Sequence, residues 1–480
     1  MSSTTGAVAL KPAHAVTLPD GLIFLSAVFF AAAQLLHSPD VLLDIAAALA
    51  AAAAILDWSK LARIAKVFFL LAGICFAGGN LVLPHEQAEL LRRALHQGVG
   101  FSCFLSLLGM LRYAVSHSIT MREATAYLME VSDRRRYQAV KVGSHALGLL
   151  FNIGVVSLIG QMIASATQGD ATQVRRKAIL LASMRGTVLM TIWSPLGVGF
   201  AIITQSIPTL SPTVFMLVAF LASVGLMLIT TFLHTELGDP SEPTERKIDS
   251  LVGDDVPVGP AQSARPLILV LSACAALFAA TLGLHELLDI TPLASTVIIL
   301  PPFTLAWVYI ERRVPLSRLG DEICGMTASM SVMRTESVIY LSASVIGAAA
   351  VALLTMSGTG LAELGNMSPL LLSAGCILAI AASAIMFIPH SIVVVFLAQL
   401  LGSATFGHEH PMILAMSLAL GWAAGIALSP ISAMSITMAR LTSVSPSTIV
   451  LRWNGGFALT LVTSSVAAVL AATFWTRIAA

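Results

Sequence analysis

The chain has 480 residues, of which 57% are hydrophobic and 11% charged, and its formal net charge is +1 at pH 7. So little charge cannot cover the surface of a soluble protein of this length, and a near-zero balance gives no electrostatic basis for holding nucleic acid. The five cysteines (Cys75, Cys103, Cys274, Cys324 and Cys376) are scattered without CxxC or Cys/His spacing, which points to neither a disulfide framework nor a zinc site.

Residues up to Asp20 lack the charged, apolar and small-residue succession of a cleaved signal and read as a short cytoplasmic tail. Apolar runs long enough to cross a bilayer occur at 21–36, 41–56, 65–84, 99–115, 178–204, 213–233, 266–284, 292–310, 336–357, 412–438 and 448–475. The expected class is an all-α polytopic membrane protein. The stretch 117–142 mixes apolar and basic positions and predicts an amphipathic helix on the anionic inner leaflet.

Two further apolar stretches, 143–168 and 368–404, behave differently. Arg122, Arg134, Arg135, Arg136 and Lys141 precede the first, and Arg175, Arg176 and Lys177 come after it. The positive-inside rule puts both flanks in the cytoplasm, so the segment must turn back on itself as a re-entrant hairpin, with its turn near Asn152-Ile153-Gly154. The polar link 234–264 is cytoplasmic by parity, as are Glu311-Arg312-Arg313 and Arg318. The second stretch has no Lys or Arg on either flank and predicts a hairpin from outside, turning near Ile388-Pro389-His390-Ser391. The expected topology is about eleven crossings plus two hairpins, with the N-terminus cytoplasmic and the C-terminus outside an inner (plasma) membrane of bacterial type. Arg92 and Arg93 break the rule by falling outside, beside Glu86 and Glu89.

The stretch WSPLGVGFAI starting at Trp193 puts a proline and two glycines inside one of these runs, and LSPISAMSIT starting at Leu428 breaks another with a second Ser-Pro pair. A shift of about 235 residues superposes Ser194-Pro195 on Ser429-Pro430. Ser211-Pro212-Thr213 then meets Ser445-Pro446-Ser447, and the two hairpin turns fall within a few residues of each other. The chain therefore divides into 1–40 (tail and first helix), 41–233 (first repeat, hairpin 143–168, broken helix 178–204), the linker 234–264, and 265–480 (second repeat, hairpin 368–404, broken helix 412–438). An odd number of crossings separates the copies, so they are inverted. Inverted repeats with broken helices are the mark of secondary transporters, whose freed backbone groups line a site near the bilayer midplane.

Hairpin, helix broken by Ser-Pro, and an inverted second copy resemble the ion transporter superfamily, in particular its divalent anion–sodium symporter branch, from about residue 40 to the end. Ser194-Pro195-Leu196-Gly197 and Ser429-Pro430-Ile431-Ser432 are similar to that family's Thr-Pro-Ile-Gly-type breaks. The resemblance implies an elevator-like motion of a transport domain past a scaffold, and a homodimer. The family's dicarboxylate carriers have Ser-Asn-Thr at both tips. Here the tips read Phe151-Asn152-Ile153-Gly154 and Pro389-His390-Ser391-Ile392.

The expected function is secondary active transport of a small organic or inorganic anion coupled to Na⁺ or H⁺, with no enzymatic activity and no cofactor beyond Na⁺ as coupling ion. Candidate substrate-binding residues are Asn152, Ser194, His390, Ser391, Ser429 and Arg185. Candidate ion ligands are Asn152, Gly154, Pro195, Gly197, Ser429, Ser432 and Ser435, through backbone carbonyls and hydroxyls. Arg185 lies about 10 Å into its span and has two readings, a cation facing the anion or an arginine snorkelling to the headgroups. His390 either meets substrate or is satisfied by a carbonyl. The tip and Ser-Pro residues also admit a purely structural reading, as turn residues and proline kinks. The hairpins and broken helices hold almost no Asp or Glu, against a cation/proton antiporter. Two alternatives remain: the large permease of a tripartite, binding-protein-dependent system, and a polysaccharide ligase or polymerase. The latter needs a long polar outer loop that the sequence lacks.

Overall fold

The computed structural model describes residues 16–37, 40–164, 170–234, 263–312, 315–357 and 367–479. The tail to residue 15, the linker between 235 and 262 and the segment 358–366, expected from the sequence to lie outside the membrane, fall outside the described residues. Within them the regular structure is helical throughout, with no strand. The first half runs α1 (Leu18–Leu35), α2 (Val41–Leu56), α3 (Arg63–Val82), α4 (His85–Ser116), α5 (Ile119–Met129), α6 (Asp133–Phe151), α7 (Gly154–Ala164), α8 (Asp170–Met190), α9 (Val198–Ser206) and α10 (Pro212–Leu233). The second runs α11 (Arg265–Leu288), α12 (Pro292–Arg312), α13 (Leu319–Ser329), α14 (Arg334–Met356), α15 (Pro369–Ile385), α16 (His390–Gly402), α17 (Thr405–Glu409), α18 (Pro411–Leu428), α19 (Ala433–Thr442) and α20 (Gly455–Ala479). Among the described residues, nine helices or continuous helix runs are long and apolar enough to cross a membrane. The chain is an all-α polytopic membrane protein.

The helices form two bundles. In one, α4 is central and packs on α1, α2, α12, α13 and α14, while α3 lies against α14. The other holds two helical hairpins, α6–α7 and α15–α16, each with its outgoing arm along a broken helix: α6 on α8, and α15 on α18. Beyond each break the partners are exchanged. Helix α9 packs on α16 of the second hairpin, and α19 packs on α7 of the first. The two copies interlock, so neither could bury its hairpin alone.

Close approach sets these contacts. A β-carbon on Gly186 of α8 would collide with the backbone oxygen of Lys141 in α6, so only glycine lets the two backbones touch. The second Ser-Pro pair of each copy caps a helix: Ser211 accepts from the Val214 N–H at 3.5 Å and Ser445 from the Thr448 N–H at 3.2 Å, with proline next in line.

Three expectations change. The stretch 117–142 is not one helix on the leaflet. It divides into α5 and the start of α6, and α5 buries Met121, Ala124, Leu128 and Met129 while packing on α6 and α11. Its N-terminus is held by Glu311, which accepts from Ser118 Oγ and the Thr120 N–H, both at 2.7 Å. The closing run 448–475 starts with an irregular π-helical segment, Ile449–Trp453, before α20 begins at Gly455. Arg92, discordant in the charge pattern, is neutralised by Asp44 (2.6 Å) and Asp40 (3.1 Å), while Arg93 meets Glu89 at 3.4 Å.

Candidate functional site

The first hairpin turns at Asn152, whose φ of 47° lies in the left-handed region that asparagine tolerates better than most side chains. Its N–H donates to Gly148 O at 2.7 Å, and its side chain is exposed. Gly154 starts the return arm. A β-carbon there would lie 2.5 Å from the Phe151 ring, so the tip packs too closely for a side chain at this position. Gly148 sits under Met190 and Thr187 at the end of α8, which sets this tip beside the first break.

That break spans residues 191–197. The N–H of Ser194 reaches back to Met190 O at 3.2 Å, Pro195 has none to give, and Gly197 N–H closes a turn on Ser194 O at 2.8 Å. Ser194 is buried. Helix α9 then restarts from Gly197 with no side chain capping it, so its first N–H groups keep their pull on negative charge. Trp193 is fixed by its indole N–H, which donates to His145 Nε2 at 3.0 Å. Accepting on Nε2 assigns the proton of this imidazole to Nδ1, which faces Gly186 O at 3.2 Å.

The second tip turns through Phe387, with a φ of 60°, and Pro389 caps α16. His390 seats on α18: its ring meets Trp422 edge-on at 5.1 Å, and a β-carbon on Gly425 would lie 2.7 Å from it. Gly425 is one turn before Ser429, so His390 lies beside the second break. Ser391 lies close to the Tyr340 side chain of α14.

The second break is richer in oxygen. Ser435 Oγ lies 2.9 Å from Ser429 O, 2.8 Å from Pro430 O and 2.9 Å from Ser432 O. A hydroxyl has one hydrogen, so at most one of these three carbonyls is hydrogen-bonded by it at a time. Ser432 caps α19 by accepting the Ser435 N–H at 3.1 Å. The Ser429 hydroxyl is fully buried and has no hydrogen-bond partner. A buried hydroxyl without a partner is costly unless something else meets it. No group of three or more His, Cys, Asp or Glu capable of holding a metal occurs among the described residues. The donors here are carbonyls and hydroxyls, a set that suits a hard monovalent cation.

The structure brings Ser194, Pro195 and Gly197 together at one break, and Ser429, Ser432 and Ser435 at the other with His390 beside them. Trp422 joins the two, touching His390 on one side and Gly199 of α9 on the other. Arg185 is not brought to this group. It lies nine residues before Ser194, about 13 Å along the helix. There it donates to Asn454 Oδ1 (3.1 Å), Tyr137 OH (2.7 Å), His234 O (3.1 Å) and Trp453 O (3.3 Å) and covers the Phe457 ring. Sequence reasoning missed His145, Trp422 and Asn454. Of these only Trp422 carried a signal, in the GWAAG stretch just before the second Ser-Pro pair.

No protein-family model matches this sequence, and no curated protein does either. Among solved structures, the chain is similar to the YdaH transporter of Alcanivorax borkumensis, whose crystal structure has an unusual topology, with a TM-score of 0.54 and 14% identity over 87% of this chain and 98% of that one. The chain shares that transporter's fold. The likeness covers most of both chains, while the low identity leaves the site's chemistry to be read from this chain's own residues.

Proposed function

We propose that the protein is a secondary active transporter for a small organic or inorganic anion, coupled to Na⁺ or H⁺, working by elevator-like alternating access. The observation that carries this reading is the asymmetry of the paired breaks. One ends in the uncapped N-terminus of α9, which suits an anion. The other gathers carbonyls and serine hydroxyls around Ser435, which suits a cation. The anion would meet α9 with help from Asn152, Ser194 and His390. Na⁺ would take Ser429, Ser432 and Ser435. Of the two coupling ions, the residues favour Na⁺, because the hairpins and broken helices carry no acidic residue but Asp133, Asp170 and Glu409, all at helix ends.

The test is uptake into proteoliposomes over a panel of anions, with and without a Na⁺ gradient. Uptake of at least one anion, stimulated by Na⁺, is expected. Absence of uptake under either a Na⁺ or a proton gradient would overturn the reading. For the anion that moves, Ser435→Ala is expected to raise the Na⁺ concentration for half-maximal uptake about tenfold, the size of one lost hydrogen-bonding ligand. Asn152→Ala and His390→Ala are expected to raise the KM for the anion instead. If both leave the kinetics unchanged in folded protein, the substrate assignment fails.

A further inference from the structure

Two pairs of helices meet at backbone distance, and both adjoin the outer half of the hairpin bundle in the topology read from the sequence. In the central bundle, a β-carbon on Gly98 of α4 would lie 2.6 Å from Leu341 O of α14. In the hairpin bundle, a β-carbon on Gly402 of α16 would collide with Ser206 O of α9. Contacts this close leave no side chain to rearrange, so each pair moves as one piece.

Between the pairs the contact has another character. Gln97, next to Gly98, donates to Ser206 Oγ at 3.4 Å. Gln399, one turn before Gly402, donates through Nε2 to Gln97 Oε1 at 3.4 Å and to Ser344 O of α14 at 3.1 Å. Its amide oxygen is buried without a partner and rests on Gly347, where a β-carbon would displace it. At the inner end of the same seam, Tyr340 of α14 lies beside Ser391 at the hairpin tip. Long side chains with soft torsions make this seam, and one buried polar atom in it is left unsatisfied. It holds the pairs together and comes apart more readily than either glycine contact.

We propose that the Gln97–Gln399 bridge, with Ser206 and Ser344, is a latch on the outer side of the site. It holds α9 and α16 against α4 and α14 in the closed arrangement and must open for the hairpin bundle to slide. This rests on the alternating-access reading, so its test measures backbone protection and needs no substrate.

Hydrogen–deuterium exchange of the purified full-length protein decides it. Gln399→Leu and Gly347→Ala, which removes the seat of the amide, are each expected to speed exchange roughly fivefold across 390–402 and 198–206 and to leave 133–151 unchanged. Unchanged exchange in those two segments in both variants would overturn the latch, whatever uptake measurements say. Should Gln399→Leu misfold, 99–115 will exchange fast as well. Gln399→Asn, one methylene too short to reach Gln97, then supplies the same comparison.

Discussion

Gly186 and Gly283 are both helical glycines, yet their surroundings give opposite expectations. Alanine at 186 would drive a methyl into the Lys141 carbonyl, whereas alanine at 283 meets nothing within 4 Å. Gly186→Ala is expected to destabilise the protein by about 1–3 kcal/mol, as overpacking does, and to lower its melting temperature in detergent. Gly283→Ala should leave that temperature unchanged or raise it slightly, because glycine is the poorer helix former. Arg185 is a second residue whose environment decides its role. Lysine there keeps the charge but loses the planar fork that reaches Tyr137, His234, Trp453 and Asn454. Arg185→Lys is expected to cost about 1–3 kcal/mol in stability by thermal melting, while the anion KM of the folded protein stays unchanged. A changed KM with unchanged stability would return Arg185 to the substrate site. Lys141 shows the same pattern, fully buried and donating to Thr230 and Thr231, both at 2.9 Å, near the end of α10. The carbonyl end of a helix dipole favours a cation there, so both buried cations serve to tie α10 to the hairpin bundle.

Helix ends carry much of the architecture. Of the four Ser-Pro pairs in the repeated motifs, two begin helices in the ordinary way, at Ser211 and Ser445, and two interrupt them, at Ser194 and Ser429. The same dipeptide does both jobs because proline only removes a donor. The residues after the proline decide whether a new helix starts at once or after a gap. In the first turn of α2, Asp44 binds Arg92 at 2.6 Å and His96 at 2.8 Å, tying α2 to α4. The Asp44 carboxylate is 45% exposed, so solvent screens the cluster. Asp44→Asn is therefore expected to change the melting temperature little, with a larger drop at low salt than at high salt. A large, salt-independent loss would mean that the cluster acts as a buried network.

At the scale of the whole molecule, the resemblance to the ion transporter superfamily implies a homodimer. Native mass spectrometry from mild detergent is expected to show twice the 50.3 kDa chain, and a strictly monomeric species would withdraw the dimer. Helical class, nine of the eleven expected spans and the positions of the two hairpin turns were legible in the sequence; 41–56 is a shorter helix, and 178–204, broken at 191–197, is not among the nine. Bilayer thickness fixes the length of an apolar run, lysine and arginine mark the inner side, and a proline or a polar residue with glycine interrupts the pattern wherever it falls. The Ser-Pro repeat was legible for the same reason, since backbone breaks are local. Distances between elements were not local, and only the tertiary structure decided them. It carried Arg185 away from the breaks and into a clamp, and placed Trp422 between His390 and Gly199. It paired Arg92 with aspartates some fifty residues earlier and buried α5, which has an amphipathic pattern, against α6 and α11. Periodicity states that a helix has two faces. Which neighbour meets each face depends on chain crossings that no local pattern encodes, and the chemistry of the site is set by those neighbours.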